Sequence, residues 1–141
     1  MSRRMNYKDI SPEVFNLLIK SEEYMKDSTL DKKLLELVKI RASQINGCAF
    51  CLNMHTEDAR AIGETERRIY LLNAWRETVL YTSAERVALE FTEVLTQISL
   101  GHVSDELFEK MKELFTEKEI VDLVFAINNI NNWNRLNIAL A

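Results

Sequence analysis

Apolar residues recur at helical spacing along the chain, in blocks punctuated by residues that start and stop helices. Ser11-Pro12-Glu13 opens a first helix running to about Met25, with proline where its missing N–H costs nothing and Ile10 placed to staple onto Phe15. Asp31 is placed to cap a second helix, along which Leu34, Leu35, Val38, Ala42 and Ile45 repeat before Gly47 offers a left-handed stop. A third helix starts at or just after Cys48 and ends at Gly63, and a fourth, from about Thr65 to Asn73, carries Ile69 and Leu72. Trp75-Arg76-Glu77 reads as an irregular corner. Thr82 and Glu85 form a capping box for a fifth helix with Val87, Phe91, Val94, Leu95 and Ile98 on one side. Gly101-His102 breaks it, and Ser104-Asp105-Glu106 starts a sixth in which Val103 can staple onto Phe108. A second capping box, Thr116 with Glu119, opens the last helix, which carries Ile120, Leu123, Val124, Ile127 and Ile130 and can continue through the asparagines from Asn128 to Asn137.

One proline and three glycines leave a β-rich fold few places to turn, so the chain reads as an all-α bundle of about six to seven helices in a single domain, 1–141. A hydrophobic content of 47% is enough for an ordinary core. The net charge of −4 comes from acids and bases interleaved throughout, without a basic block to track a phosphate backbone, which argues against nucleic acid as a partner. The two arginines of Met1-Ser2-Arg3-Arg4 are followed at once by polar residues, so no signal peptide is visible, and the apolar runs are too short to span a bilayer. A cytoplasmic location without membrane association is expected.

Chemistry concentrates in two cysteines, Cys48 and Cys51, three apart. In a reducing compartment that spacing argues for redox work rather than a structural bridge. At about 100° per residue, Cys48, Cys51 and His55 share one helix face. A position at a helix N-terminus favours thiolate over thiol, which matters because a thiol of ordinary pKa is only about 3% ionised at pH 7. His55, one turn beyond Cys51, is placed to exchange a proton. Glu36 lies about 15 Å before the end of the second helix and His55 about 10 Å after the start of the third. If the two helices fold back about Gly47, carboxylate and imidazole come level, and the acid can orient the ring.

Glu36, eleven residues, Cys48-x-x-Cys51, three residues and His55 together resemble the signature of the AhpD-like branch of the carboxymuconolactone decarboxylase family. The segments Ile40-Arg41-Ala42-Ser43-Gln44-Ile45-Asn46-Gly47-Cys48, Leu72-Asn73-Ala74-Trp75-Arg76-Glu77 and Asn132-Trp133-Asn134-Arg135-Leu136 are also similar to short members. The resemblance implies an AhpD-like helical fold assembling as a homotrimer or homohexamer, and reduction of alkyl hydroperoxides by the dithiol. It implies that Cys51 attacks the peroxide, that Cys48 resolves the sulfenic acid, and that Glu36 and His55 relay protons. It implies no bound cofactor and an external thiol or dithiol reductant, carried by a donor protein and lipoamide-linked in well-known members. Those members carry a histidine between the cysteines, where this chain has Phe50, and have a longer N-terminal region.

Other readings stand beside this one. The cysteines could be small buried hydrophobes, or three ligands of a zinc site that Cys48, Cys51 and His55 cannot close alone. A lactone decarboxylase and a non-catalytic redox sensor are rival functions. His102 reads as a solvent-facing loop residue, and Arg76 as stacked on Trp75 or paired with a carboxylate. Tyr7 and Tyr24 read as packing residues. The charged runs Lys32-Lys33 and Glu64-Thr65-Glu66-Arg67-Arg68 read as solvated helix faces.

Overall fold

The computed structural model describes residues 4–140; Met1, Ser2 and Arg3 of the N-terminal stretch, and Ala141, lie outside the described residues. The elements are α1 (Tyr7–Ile10), α2 (Pro12–Lys26), α3 (Lys32–Asn46), α4 (Ala49–Ala61), α5 (Glu66–Tyr70), a 3-10 turn over Leu72–Glu77, α6 (Ser83–Thr96), α7 (Asp105–Leu114) and α8 (Glu117–Leu140). Among the described residues there is no strand, and no helix is long and apolar enough to cross a membrane.

Several starts and stops follow directly from local chemistry. The Asp31 carboxylate accepts the Leu34 N–H at 2.9 Å, and Ser104 does the same for Leu107 at 3.1 Å. Both capping boxes form: Thr82 and Glu85 exchange bonds of 2.8 and 3.2 Å, and Thr116 and Glu119 bonds of 2.9 and 3.2 Å. Gly47 sits at φ 70°, with its own N–H on Gln44 and the Cys48 N–H on Ser43, so the last carbonyls of α3 are satisfied by a left-handed glycine cap. Gly63 closes α4 in the same way at φ 92°.

α3 is the axis of the molecule and packs against α4, α6 and α8. Its two sides feed two cores. Leu34, Leu35 and Val38 join Phe91, Leu107, Met111, Leu123 and Ile127, while Leu37 and Ile40 join Ala59, Ile69, Leu72, Trp75 and Leu89. A third, smaller cluster of Ala42, Cys48, Cys51 and Ile130, with Trp133 against it, forms where α3, α4 and α8 meet.

Several expectations need correction. A short helix, α1, precedes the predicted first one, and Ile10 ends it 63% exposed rather than closing a staple. The predicted fourth helix stops at Tyr70 and passes into the 3-10 turn, kinked at Ala74. On α6, Phe91 lies in the core and Val87, Val94 and Leu95 pack against it as expected, but Ala88, Leu89, Thr92 and Thr96 are buried too, because the helix lies between α3 and α7/α8 and so has two buried faces; Ile98 falls beyond its end and is exposed. Glu64 is not on a solvated face. It is 2% exposed and holds Arg68 through bonds of 2.8 and 3.2 Å, while Arg68 also reaches Glu85 at 2.6 Å. Tyr24 does more than pack, since its hydroxyl donates to the buried Asp122 at 2.6 Å. Both readings of Arg76 hold: it stacks over Trp75 at 4.1 Å and binds Glu93 at 2.6 Å.

Candidate functional site

The turn at Gly47 folds α4 back along α3, and Glu36 and His55 meet across it, Glu36 Oε2 lying 2.9 Å from His55 Nδ1. An ionised Glu36 accepts the Nδ1 proton and leaves Nε2 of the ring available. Burial alone would raise the Glu36 carboxyl, but its bonds to His55 and Lys39 outweigh that and hold it below its ordinary value. The Lys39 ammonium bridges Glu36 at 3.3 Å and Glu22 at 3.6 Å, and the Trp133 indole N–H donates to Glu22 at 3.1 Å. One polar chain therefore runs from α8 through α2 and α3 to the imidazole on α4.

Cys48 is the N-cap of α4, with extended backbone, rather than a member of the helix. Its sulfur nevertheless reaches that of Cys51, on the first turn, at 2.7 Å. Both thiols are free and buried, Cys48 at 2% and Cys51 at 0% exposure. The expected preference for thiolate does not hold at Cys51. Burial, reinforced by contact with Cys48, pushes the Cys51 thiol up to about 12, against donors from Asn134 and Asn137 that pull it down.

Cys51 and His55 line a cleft of about 330 Å³ whose walls are largely apolar, from Phe15, Ile19, Phe50, Met54 and Trp133, with Asn137 on its α8 side. Phe50 is 52% exposed at this cleft. Glu36 lines a second cleft, of about 430 Å³, and Lys39, Glu22 and Asp58 border both. The Glu36–His55 bond thus joins two solvent-connected spaces. His55, Glu36 and Asp58 also bring one ligand atom each within 4.8 Å of one another, a set that could hold a cation; the cysteine sulfurs are not part of it.

All four residues singled out from the sequence, Glu36, Cys48, Cys51 and His55, therefore gather within one region, as two contacting pairs. Sequence reasoning missed Lys39 and Glu22, and left the asparagines between a cavity and an interface. Asn46 donates to both Asn131 and Asn134 at 2.9 Å, Asn134 donates to Ser43 at 3.0 Å, and Asn137 donates to the Cys51 sulfur at 3.7 Å. The spacing of Asn131, Asn134 and Asn137 at three-residue intervals was a usable signal, because it places them on one helix face. His102 is exposed in a loop, as expected.

Residues 12–94 match the carboxymuconolactone decarboxylase family. The chain belongs to that family. Over 140 residues it is 49% identical to the uncharacterized protein YdfG of Bacillus subtilis, covering 99% of this chain and 95% of that one. Among solved structures, ATU0492 of Agrobacterium tumefaciens, a protein of unknown function described as a candidate AhpD antioxidant defence protein, superposes with a TM-score of 0.94 at 39% identity, over 99% of this chain and 95% of its own. A peroxidase-related protein from Silicibacter shares the fold, with a TM-score of 0.81 at 23% identity over 92% of this chain and 69% of its own. The helical fold read from the residues is thus the AhpD-like one.

Proposed function

We propose that this family member is a dithiol hydroperoxidase acting on organic hydroperoxides. The observation that carries the reading is a contacting dithiol whose Cys51 shares one apolar cleft with an oriented imidazole: sulfurs 2.7 Å apart, and Glu36 2.9 Å from His55. Likeness to an AhpD-type antioxidant structure at 39% identity supports it.

Because Cys51 is protonated at rest, its proton must leave as the substrate arrives. His55 takes it at Nε2, and Glu36 stabilises the imidazolium through Nδ1. The thiolate attacks the outer peroxide oxygen, the O–O bond breaks, and the departing alkoxide takes the proton back from His55. This yields an alcohol and a sulfenic acid on Cys51. The Cys48 sulfur then attacks that of Cys51, the S–O bond breaks, and water leaves with the Cys48 proton. In sum, dithiol and hydroperoxide become disulfide, alcohol and water. Glu36, bordering the second cleft, gives the relay an outlet to solvent. The walls of the first cleft favour a bulky organic group over hydrogen peroxide. An external dithiol, lipoamide-linked in the family, restores the thiols, and no bound cofactor is needed. Cys48, Cys51, Glu36 and His55 are the acting residues in an assembly of three or six copies, whose mass light scattering would give.

The deciding experiment follows cumene hydroperoxide consumption with dihydrolipoamide as donor. Wild type should turn over and gain a disulfide, two hydrogens lighter by mass spectrometry. Cys48→Ser should stop at a sulfenic acid that dimedone traps, and Cys51→Ser should be inert. Activity persisting in Cys51→Ser would end the reading.

A further inference from the structure

The side-chain amide of Asn137 lies against the Cys51 sulfur at 3.7 Å, and its orientation is settled independently of that contact. The same Nδ2 donates to the Trp133 carbonyl at 2.9 Å, one helical turn back on α8. Turning the amide over would set oxygen against oxygen, so the donor end is the one presented to sulfur. The placement of α8 is fixed as well. Asn131 and Asn134 tie it to Asn46 and Ser43 at the end of α3, immediately before the turn that delivers Cys48.

A thiolate at a fully buried position is costly unless something hydrogen-bonds it. A neutral amide donor lowers that cost without bringing a proton of its own that could leave. It favours the charged form of the sulfur over the neutral one, and the direction of its effect on the thiol agrees, adding to the larger pull of Asn134. The amide also borders the cleft, so it stays beside the sulfur while substrate occupies it.

We propose that Asn137 is a catalytic residue, a side-chain donor on the cleft that stabilises the Cys51 thiolate during attack. The proposal rests on Cys51 being the nucleophile. Nothing in the four-residue signature from Glu36 to His55 includes it, because it lies more than eighty positions further on.

The test measures how fast iodoacetamide alkylates Cys51 across pH 7 to 11, in a Cys48→Ser background that leaves a single thiol. Asn137→Leu, similar in size but without a donor, should displace the rate–pH profile upward by about one pH unit and so slow alkylation about tenfold at every pH below the thiol's midpoint. Asn137→Asp, which replaces the donor with a negative charge, should move it further in the same direction. Asn137→Ala serves if the leucine side chain disturbs α8, and circular dichroism matching the parent qualifies a variant for the comparison. A residue that merely holds the helix would alter the melting temperature and leave the titration where it was. An unchanged titration in a folded Asn137→Leu or Asn137→Ala variant overturns the proposal. No peroxide enters this measurement, so failure of the peroxidase reading would not be mistaken for failure of this one.

Discussion

At the scale of single residues the site works by opposing shifts. Glu36 is kept ionised inside a partly closed space by His55 and Lys39, while Cys51 is kept neutral by burial. Replacing Glu36 with Gln retains an acceptor for the Nδ1 proton but removes the charge that would stabilise an imidazolium. Peroxide kcat/KM should then fall on the order of a hundredfold, typical for losing general acid–base assistance. Steady-state rates at pH 7 would show it, and a drop of less than threefold would mean that the pair does not carry the proton. In the proposed mechanism His55, which lines the first cleft, and not Glu36, meets the substrate, so the loss should fall on kcat more than on KM.

At the scale of elements the decisive object is the turn between α3 and α4. Gly47 holds a left-handed backbone at φ 70°, and a Cβ built there would meet nothing within 4 Å. Gly47→Ala should therefore cost only the conformational penalty, about 1 kcal/mol, seen as a lower urea midpoint with an unchanged slope. A loss above about 3 kcal/mol would mean that the turn supports more than its own geometry. This turn is also why the site was legible in the sequence. Once Gly47 ends one helix and Cys48 starts the next, the rise per residue brings Glu36 level with His55. The caps at Asp31, Thr82, Ser104 and Thr116 were legible for the same reason, since each satisfies orphan N–H groups through a side chain within three residues. What the sequence hid depends on contacts between distant segments. The burial of Glu64 requires Arg68 and Glu85 to converge, the second buried face of α6 requires knowing its neighbours, and the Cys51 environment requires α8 to cross it. The helix-start argument for a reactive thiolate was sound locally and was overridden by exclusion of water around the sulfur.

At the scale of the whole molecule, buried and half-buried carboxylates pin the helices together. Glu93 gathers Trp75, Arg76 and Arg41, and Asp122 gathers Tyr24, Ser28 and Lys118. In Glu36, Glu93 and Asp122 alike, burial would raise the carboxyl, yet hydrogen bonds to these partners outweigh it and hold the folded-state value below the reference of 4.5 for Glu and 3.8 for Asp. The folded state then binds these protons less readily than the unfolded chain. The stability they contribute is present above those reference values and drains away as pH falls through the lower folded-state ones. Melting temperature should be level from about pH 7 to pH 5 and fall steeply below about pH 4.5, with a shallower fall in Glu93→Gln. Equal melting temperatures at pH 7 and pH 3.5 would contradict this.

α8 is a single rod of 24 residues. Near one end Asp122 fastens it to α2, and near the other Asn137 meets the sulfur. One residue inserted between Asp122 and Asn131 would swing everything downstream by about 100° and pull three amides off their partners in a single step. Homologues that keep this chemistry should therefore vary freely in the outward-facing letters of that stretch while aligning across it without a gap.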